Sequence, residues 1–267
     1  MRARCSFCLW LFVLIAFYDG PTYAQQQTTI TLTANDIMRM AVENWEKNEL
    51  LKSELISFER RHIEHELHRN GNPKSVIKDE TSYHGKSYLS ELKGNNGGLS
   101  VNFNAILFLS YDYVFLNPNS PDYTNLPDKY KFECDDCYVI KFEPKRTTPD
   151  ISEIAPSNAS TIEKGIHETA MRMEGIIFID KLHLFVRKYV GELGNGFDKG
   201  TLSSIRIITA SLDLEQELRS NLNNIVVLKS AEITYQVRIA WLSYRTRKEE
   251  WKWSNYHLNQ SNVPPIN

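Results

Sequence analysis

Residues 233–241 read ITYQVRIAW and alternate large apolar side chains with smaller or polar ones. Apolar residues occupy every second position, which is the period of a β-strand with one buried face. The stretch therefore predicts a strand whose apolar face is covered by another layer of the fold.

Strand-like patterns continue on both sides of this stretch. Turn signals such as NGNP at 70–73 separate several of them, so neighbouring runs are expected to pair as hairpins. The chain thus predicts an antiparallel sheet of about nine to eleven short strands. The other runs are 54–69, 75–84, 111–115, 129–133, 138–143, 175–180, 182–190, 205–218 and 248–258.

One clear helical pattern precedes the strands. Thr33 and Asp36 have the spacing of a capping box, and Ile37, Ala41 and Trp45 follow at helical intervals. We therefore predict an amphipathic helix over about 34–51. Its apolar stripe must be buried against the sheet, so the predicted fold is mainly β (α+β), with the helix on the inner face.

The first residues have the layout of a secretory signal peptide. Arg2 and Arg4 precede the apolar run CLWLFVLIAFY at 8–18, and small residues lead to Ala24. An apolar run of this length is too short to span a bilayer. We expect residues 1–24 to be removed near Ala24, and the mature protein to be exported.

The remaining chain is long enough for one sizeable domain. We predict a single domain over 25–267, with loose tails at 25–32 and 259–267. No later segment approaches the apolar length of a membrane span. The formal net charge of −2 comes without a basic stripe, which argues against nucleic acid as a partner.

Two cysteines, Cys134 and Cys137, form a C-x-x-C pair between the runs 129–133 and 138–143. A disulfide is permitted in an oxidising compartment. Redox-active pairs stand instead at a helix start beside a βαβ pattern. A local disulfide or two free thiols is the favoured interpretation, with metal binding and redox catalysis as alternatives.

Three histidines crowd into the run HIEHELH at 62–68. The spacing is one residue short of the metalloprotease motif H-E-x-x-H, which needs a helix. On a strand, His62 and His68 would lie on one face with two glutamates and form a weak candidate for a metal row. A solvated polar face is the simpler interpretation, so we predict no metal and no cofactor.

The sequence carries no recognisable catalytic motif. It lacks G-x-S-x-G, G-x-x-x-x-G-K-[ST] and G-x-G-x-x-G, and its aspartates stand near turns without paired spacing. We therefore expect a protein that is not an enzyme. A metal-dependent hydrolase that uses the histidine row is a less favoured alternative.

Four groups of residues, taken in their order along the chain, resemble the outer-membrane lipoprotein-sorting (LolA/LolB-like) superfamily, and in particular its uncharacterised exported members. They are LTANDIM at 32–38, FERR at 58–61 leading to NGNP at 70–73, CYVIKFEP at 137–144, and GIIFID at 175–180 followed by VRK at 186–188. The resemblance implies a curved, half-open antiparallel β-barrel with helices on its concave side. It also implies that the exported protein works in the periplasm, that lipid or lipoprotein acyl chains bind in that concavity, and that envelope proteins are partners.

On this resemblance we predict a non-enzymatic binding protein whose concave face holds acyl chains. The predicted lining residues are Ile37, Ala41 and Trp45 from the helix, and Phe178, Val186, Tyr235, Val237, Ile239 and Trp241 from the strands. The alternative is an envelope scaffold protein with the same fold and no ligand cavity.

Overall fold

The structure, a computed structural model, describes residues 32–84, 110–147, 150, 168–193, 205–239 and 243–259. The predicted signal peptide, its cleavage point and most of the two predicted tails lie outside the described residues. Within the described ranges, no helix has the length and apolar character needed to cross a membrane.

Helix α1 spans Ala34–Leu55 and begins at the predicted capping box. The backbone N–H of Asp36 donates to Thr33 Oγ1 at 3.2 Å, and that of Thr33 donates to the Asp36 carboxylate at 3.0 Å. The helix runs past the predicted end at 51, because 49–55 holds good helix formers without glycine or proline. Ile37 and Ala41 on its inner side are buried.

The predicted antiparallel sheet is confirmed. In the described part of the chain its nine strands follow the order β2-β1-β9-β8-β7-β6-β5-β4-β3, and every neighbouring pair is antiparallel. The sheet is curved and unclosed, with β2 and β3 as its edges, as a half-barrel requires. The strands are β1 (Ile56–Leu67), β2 (Pro73–His84), β3 (Tyr111–Phe115), β4 (Cys137–Pro144), β5 (Met173–Asp180), β6 (Val186–Leu193), β7 (Ile205–Arg219), β8 (Ile225–Ile239) and β9 (Ser243–Leu258).

The inner face of the sheet is the face on which α1 packs. Ile140, Ile177 and Tyr189 lie opposite one another on β4, β5 and β6, and they belong to or pack against the same core as α1. Directly opposite residues share a face in an antiparallel sheet. By the same register, this face continues across β7 to Ala231 of β8 and Trp251 of β9.

The outer face of β4 and β5 is covered by the segment 116–134. Leu126 and Phe132 of this segment pack on Val139 and Phe178. The segment contains a short helix, α2 (Pro121–Thr124), and a 3-10 turn over Asp128–Tyr130. β5 is therefore buried on both faces, which accounts for its nearly continuous apolar sequence.

The predicted strand over 129–133 is wrong. The chain forms the 3-10 turn there, in which the backbone N–H of Lys131 donates to the carbonyl of Asp128 at 2.9 Å. Pro127 precedes the turn as its N-cap residue, and as a proline it has no backbone N–H to donate to a neighbouring strand. The cysteine pair therefore follows an irregular covering segment and does not lie in a hairpin.

The predicted hairpin of β5 and β6 is confirmed, but its turn is longer than predicted. The second strand begins at Val186 instead of residue 182. The Asp180 carboxylate accepts the backbone N–H groups of Leu182 and His183, and Leu184 has a φ of 50°. These bonds curl the chain into a compact turn before β6 starts.

The strand predicted over 233–241 is present as the second half of β8, but its apolar face is not buried as predicted. Ile233, Tyr235 and Val237 are half-buried, as is the intervening Gln236. Helix α1 makes its hydrogen bonds to β8 at Val226, near the start of the strand. Within the described residues, the second half of β8 is therefore only half-buried, and it is not covered as its pattern led us to expect.

Candidate functional site

A cleft of about 280 Å³ lies between the second half of α1 and the inner face of the sheet. Its walls come from α1, the β5–β6 turn, the start of β6, the end of β7 and the start of β8. The lining residues are Ala41, Asn44, Trp45, Lys47, Asn48, Leu51, His183, Phe185, Val186, Gln216, Leu218, Asn224 and Val226.

The cleft changes from apolar and buried to polar and exposed. Ala41, Val186 and Val226 are 1%, 4% and 9% exposed and supply apolar walls. Lys47 and Asn224 are exposed and lie where the cleft meets solvent. An apolar interior with a few polar groups is the usual composition of a small-molecule site.

Two asparagines of α1 fix the width of the cleft. Asn48 Nδ2 donates to the carbonyl of Val226 at 2.6 Å, and Asn48 Oδ1 accepts the backbone N–H of Val226 at 2.8 Å. One turn earlier, Asn44 Nδ2 donates to the carbonyls of His183 and Leu184 at 3.2 and 3.3 Å. Helix α1 is therefore hydrogen-bonded to both walls, and the cleft is held open by fixed contacts.

Asp180 organises the wall formed by the β5–β6 turn. Its Oδ1 accepts the backbone N–H groups of Leu182 at 3.0 Å and His183 at 2.7 Å, and its Oδ2 accepts Arg187 Nε at 2.9 Å. Burial alone would raise the pKa of Asp180, but the His183 N–H and the Arg187 guanidinium together lower it below its usual value. The ionised carboxylate is the form that holds this wall.

We expect Asp180→Asn to lower the free energy of unfolding by about 2–3 kcal/mol at pH 7, because the charged acceptor of several hydrogen bonds is lost. A carboxylate with a lowered folded-state pKa stabilises the fold above its unfolded pKa and loses that contribution as the pH falls. The difference between wild type and variant should therefore shrink below about pH 4. Urea unfolding at pH 7 and pH 3 measures both values.

Asp128→Asn is the matched control, because the Asp128 side chain is 97% exposed. Its expected effect at pH 7 is within about 0.5 kcal/mol. A difference between Asp180→Asn and wild type that is as large at pH 3 as at pH 7 would contradict the role given to the ionised carboxylate.

The structure brings together three of the residues predicted to line a cavity. Ala41, Trp45 and Val186 all line the cleft. Ile37 is fully buried one turn earlier in the core beneath α1, so it fills the core and does not line the cleft.

The remaining predicted lining residues lie elsewhere. Phe178 is fully buried on the outer face, in contact with Phe132, with ring centroids 5.4 Å apart. Tyr235 and Val237 are on the second half of β8, away from the cleft lining. The backbone of Ile239 pairs with Ser243, but its side chain and all of Trp241 lie outside the described residues.

None of the polar residues that line the cleft was among the predicted lining residues. Asn44 and Asn48 stand one helical turn apart beside the apolar stripe of α1, a spacing that could have marked them as a pair facing one neighbour. Gln216 lies within the polar-looking run DLEQELR of β7, and nothing in that run distinguishes it from a solvent-exposed residue.

The histidine run lies at the other end of the inner face. His62 Nε2 is 3.2 Å from Glu249 Oε2, its ring stacks on Trp251, and Tyr235 donates its hydroxyl to Glu249 Oε1 at 3.0 Å. Burial, together with the Glu249 carboxylate, raises the pKa of Tyr235 well above its usual value. The network is a hydrogen-bonded polar row across β1, β8 and β9.

His68 does not belong to this row, because β1 ends at Leu67 and His68 begins the turn into β2. Among the described residues, no three His, Cys, Asp or Glu side chains are grouped closely enough to hold a metal ion. His62 and His68, the weak candidates for a metal row, are therefore not brought together in the described part of the chain.

Cys134 and Cys137 are joined by a disulfide with Cα atoms 5.5 Å apart. Cys137 is the first residue of β4 and is buried, while Cys134 ends the segment that covers the outer face. The bond thus ties the covering segment to the sheet, on the face opposite the cleft.

Comparison with solved structures finds a crystal structure from Vibrio parahaemolyticus that is described as an outer membrane lipoprotein-sorting protein domain. The two chains are 11% identical with a TM-score of 0.33, over 85% of this chain and 95% of that chain. No protein-family model and no curated protein matches the chain. The function is therefore argued from the geometry of the cleft.

Proposed function

We propose that this chain is an exported, non-enzymatic binding protein that holds the acyl chain of a lipid or a lipidated protein in the cleft beside α1. The observation that carries the proposal is the composition of the cleft, which joins buried apolar walls to an exposed polar mouth. An amphiphile has the same division between an apolar chain and a polar end.

The apolar walls give the binding energy. Ala41, Val186 and Val226 are nearly inaccessible to solvent, and Trp45 and Leu218 extend the apolar surface. Each methylene that leaves water contributes roughly 0.8 kcal/mol. Affinity should therefore rise about fourfold for each added methylene, until the chain is longer than the cleft.

The cleft is suited to release as well as to binding. Leu51 is 48% exposed and Lys47 is exposed, so a chain in the cleft keeps one end near solvent. A carrier or receptor needs such an open side, since its ligand must enter and leave intact. The absence of catalytic motifs from the sequence agrees with binding without chemistry.

The signal-peptide pattern at residues 1–24 supports a periplasmic site of action, where lipids and lipidated proteins are available. A disulfide between Cys134 and Cys137 is consistent with such an oxidising compartment.

Native mass spectrometry of the mature protein, purified gently from its own compartment, tests the proposal. Lipid analysis of an organic extract of the same sample identifies what is bound. We expect a stoichiometric acyl-chain ligand, or its uptake when fatty acyl compounds of increasing length are added. A protein mass without ligand that stays unchanged on these additions would contradict the proposal.

The competing function is an envelope interaction protein with no ligand, and β2 favours it. This edge strand is exposed along almost its whole length, with Val76 59% and Tyr83 66% exposed. An edge strand offers unpaired backbone groups to a strand of a partner protein. The same mass spectrum separates the two functions, because only the first includes bound lipid.

A further inference from the structure

The charged side chains that line the cleft are basic. Lys47 and His183 are the lining residues that can be cationic, and no aspartate or glutamate of the described residues is part of the lining. The whole chain differs from this, since its acidic residues outnumber its basic ones and its formal net charge is −2. The polar end of a bound amphiphile would therefore meet positive charge at the mouth of the cleft.

Lys47 is a cation that its own helix does not neutralise. Glu43, one helical turn before Lys47, is paired instead with Arg39, whose Nη1 lies 3.1 Å from Glu43 Oε1. Lys52 forms an ion pair with Glu49. Lys47 forms no ion pair with the carboxylates of the described ranges, and it is exposed where the cleft meets solvent. Its ammonium group is therefore available to an anion that belongs to the ligand.

His183 stands across the same opening from Lys47. Asn44 Nδ2 donates to the carbonyl of His183 at 3.2 Å, and Lys47 follows Asn44 by three residues on the same side of α1. His183 Nδ1 lies 3.2 Å from Asp180 Oδ1, and it carries the proton in this contact because a carboxylate only accepts hydrogen bonds. His183 Nε2 can then donate to an anion only when the ring is protonated. Lys47 is therefore the permanent cation of the mouth.

Two carboxylates that lie close behind the cleft walls are each paired with a cation. Asp180 is buried in the β5–β6 turn, and it accepts Arg187 Nε at 2.9 Å. Glu215 stands beside the lining part of β7 and accepts Lys229 Nζ at 2.6 Å. Neither carboxylate lines the cleft, so neither offsets the charge of Lys47 at the mouth.

We propose that Lys47 binds an anionic head group of the acyl ligand, a carboxylate or a phosphate, and that the cleft thereby prefers anionic amphiphiles to uncharged and cationic ones with the same chain. This inference rests on the proposed function, because it takes the cleft as the acyl-chain site. It assigns the selectivity for the head group to one side chain, while the apolar walls supply most of the affinity.

Dodecanoate, methyl dodecanoate and dodecyltrimethylammonium are suitable probes, because they share a saturated chain and differ in the charge of the polar end. At pH 7 and low ionic strength, we expect wild-type protein to bind dodecanoate about fivefold more tightly than the ester, as measured by calorimetric titration. The cationic compound should bind more weakly than the ester. The preference for dodecanoate should shrink in about 0.5 M salt, because salt screens the attraction between exposed charges.

Lys47→Glu reverses the charge at the mouth of the cleft. We expect this variant to bind dodecyltrimethylammonium more tightly than dodecanoate, which is the reverse of the wild-type order. Lys131→Glu is the matched control, because it changes the net charge by the same amount on the segment that covers the outer face, where the Lys131 side chain is 40% exposed. The control should keep the wild-type order of affinities.

The role of Lys47 and the proposed function fail in different ways. Wild-type protein that binds dodecanoate and the ester equally tightly, or a Lys47→Glu variant that keeps the wild-type order, would overturn the role of Lys47 and leave acyl-chain binding intact. A reversed order in Lys131→Glu would overturn that role too, because selectivity would then follow the net charge of the chain. Wild-type protein that binds none of the three compounds would overturn the proposed function, and the role of Lys47 with it.

Discussion

Leu218→Asp should weaken the binding of methyl dodecanoate by roughly a hundredfold or more. Leu218 is half-buried on β7, lines the cleft and lies opposite Val226. An aspartate at this position removes an apolar side chain from the cleft wall. Binding of the acyl chain would also desolvate the new carboxylate, and this desolvation costs several kcal/mol. Calorimetric titration of the folded variant measures the loss.

Val114→Asp is the matched control for this substitution. Val114 is 60% exposed on the edge strand β3 and lies opposite Lys141, so an aspartate is tolerated there. Its ester affinity should stay within about twofold of the wild-type value. If Leu218→Asp bound the ester as tightly as this control, the cleft would not be the acyl-chain site.

Phe178→Ala should lower the free energy of unfolding by about 3–5 kcal/mol, the usual cost of truncating a buried aromatic side chain and leaving a cavity. Phe178 is fully buried on the outer face, and its ring meets those of Phe132 and Tyr123 with centroids 5.4 and 6.4 Å away. Its removal undermines the covering segment but leaves the cleft walls in place. Urea unfolding measures the stability.

The same variant separates the core from the binding site. Under conditions where Phe178→Ala is folded, its affinity for the ester should equal that of wild type, because the residue is on the face opposite the cleft. Phe115→Ala is the control, since Phe115 is 40% exposed on β3 and its loss should cost no more than about 1 kcal/mol. If the Phe178→Ala variant had normal stability but no longer bound the ester, the result would contradict this assignment and indicate that Phe178 contacts the ligand.

The strands themselves were predictable from alternating apolar residues, but their buried faces were not. β5 carries apolar residues at successive positions, because α1 covers one face and the segment 116–134 covers the other. Periodicity therefore could not tell the inner Ile177 from the outer Phe178. A shift of one residue moves each side chain to the other face of a strand. Only the register with the neighbouring strands determines which face a residue lies on.

The opposite error arose on β8. Tyr235 and Val237 have the ideal alternation of a half-buried strand, yet helix α1 bonds this strand only near Val226 in the described structure. The burial of a strand face depends on which element packs on it, and tertiary structure decides that. The alternation correctly predicted an extended backbone, but it gave no information about which element would cover the apolar face of β8.

The candidate site was predictable only in part, and for a related reason. Ala41 and Trp45 follow from the apolar stripe of α1, and Val186 from the start of β6. Gln216 reads as a surface residue in its local sequence, and it is buried because α1 and the β5–β6 turn come together above it. Its burial follows from contacts between elements that are distant in sequence.

Photocrosslinking tests the location of the acyl chain most directly. A fatty acyl compound with a diazirine in its chain is bound to the mature protein, and the complex is irradiated. Peptide mass spectrometry then identifies the labelled residues. We expect labels on the second half of α1 and on Val186, Gln216, Leu218 and Val226, which line the cleft. Labels confined to the outer face, or to the His62 row at the far end of the inner face, would contradict this location.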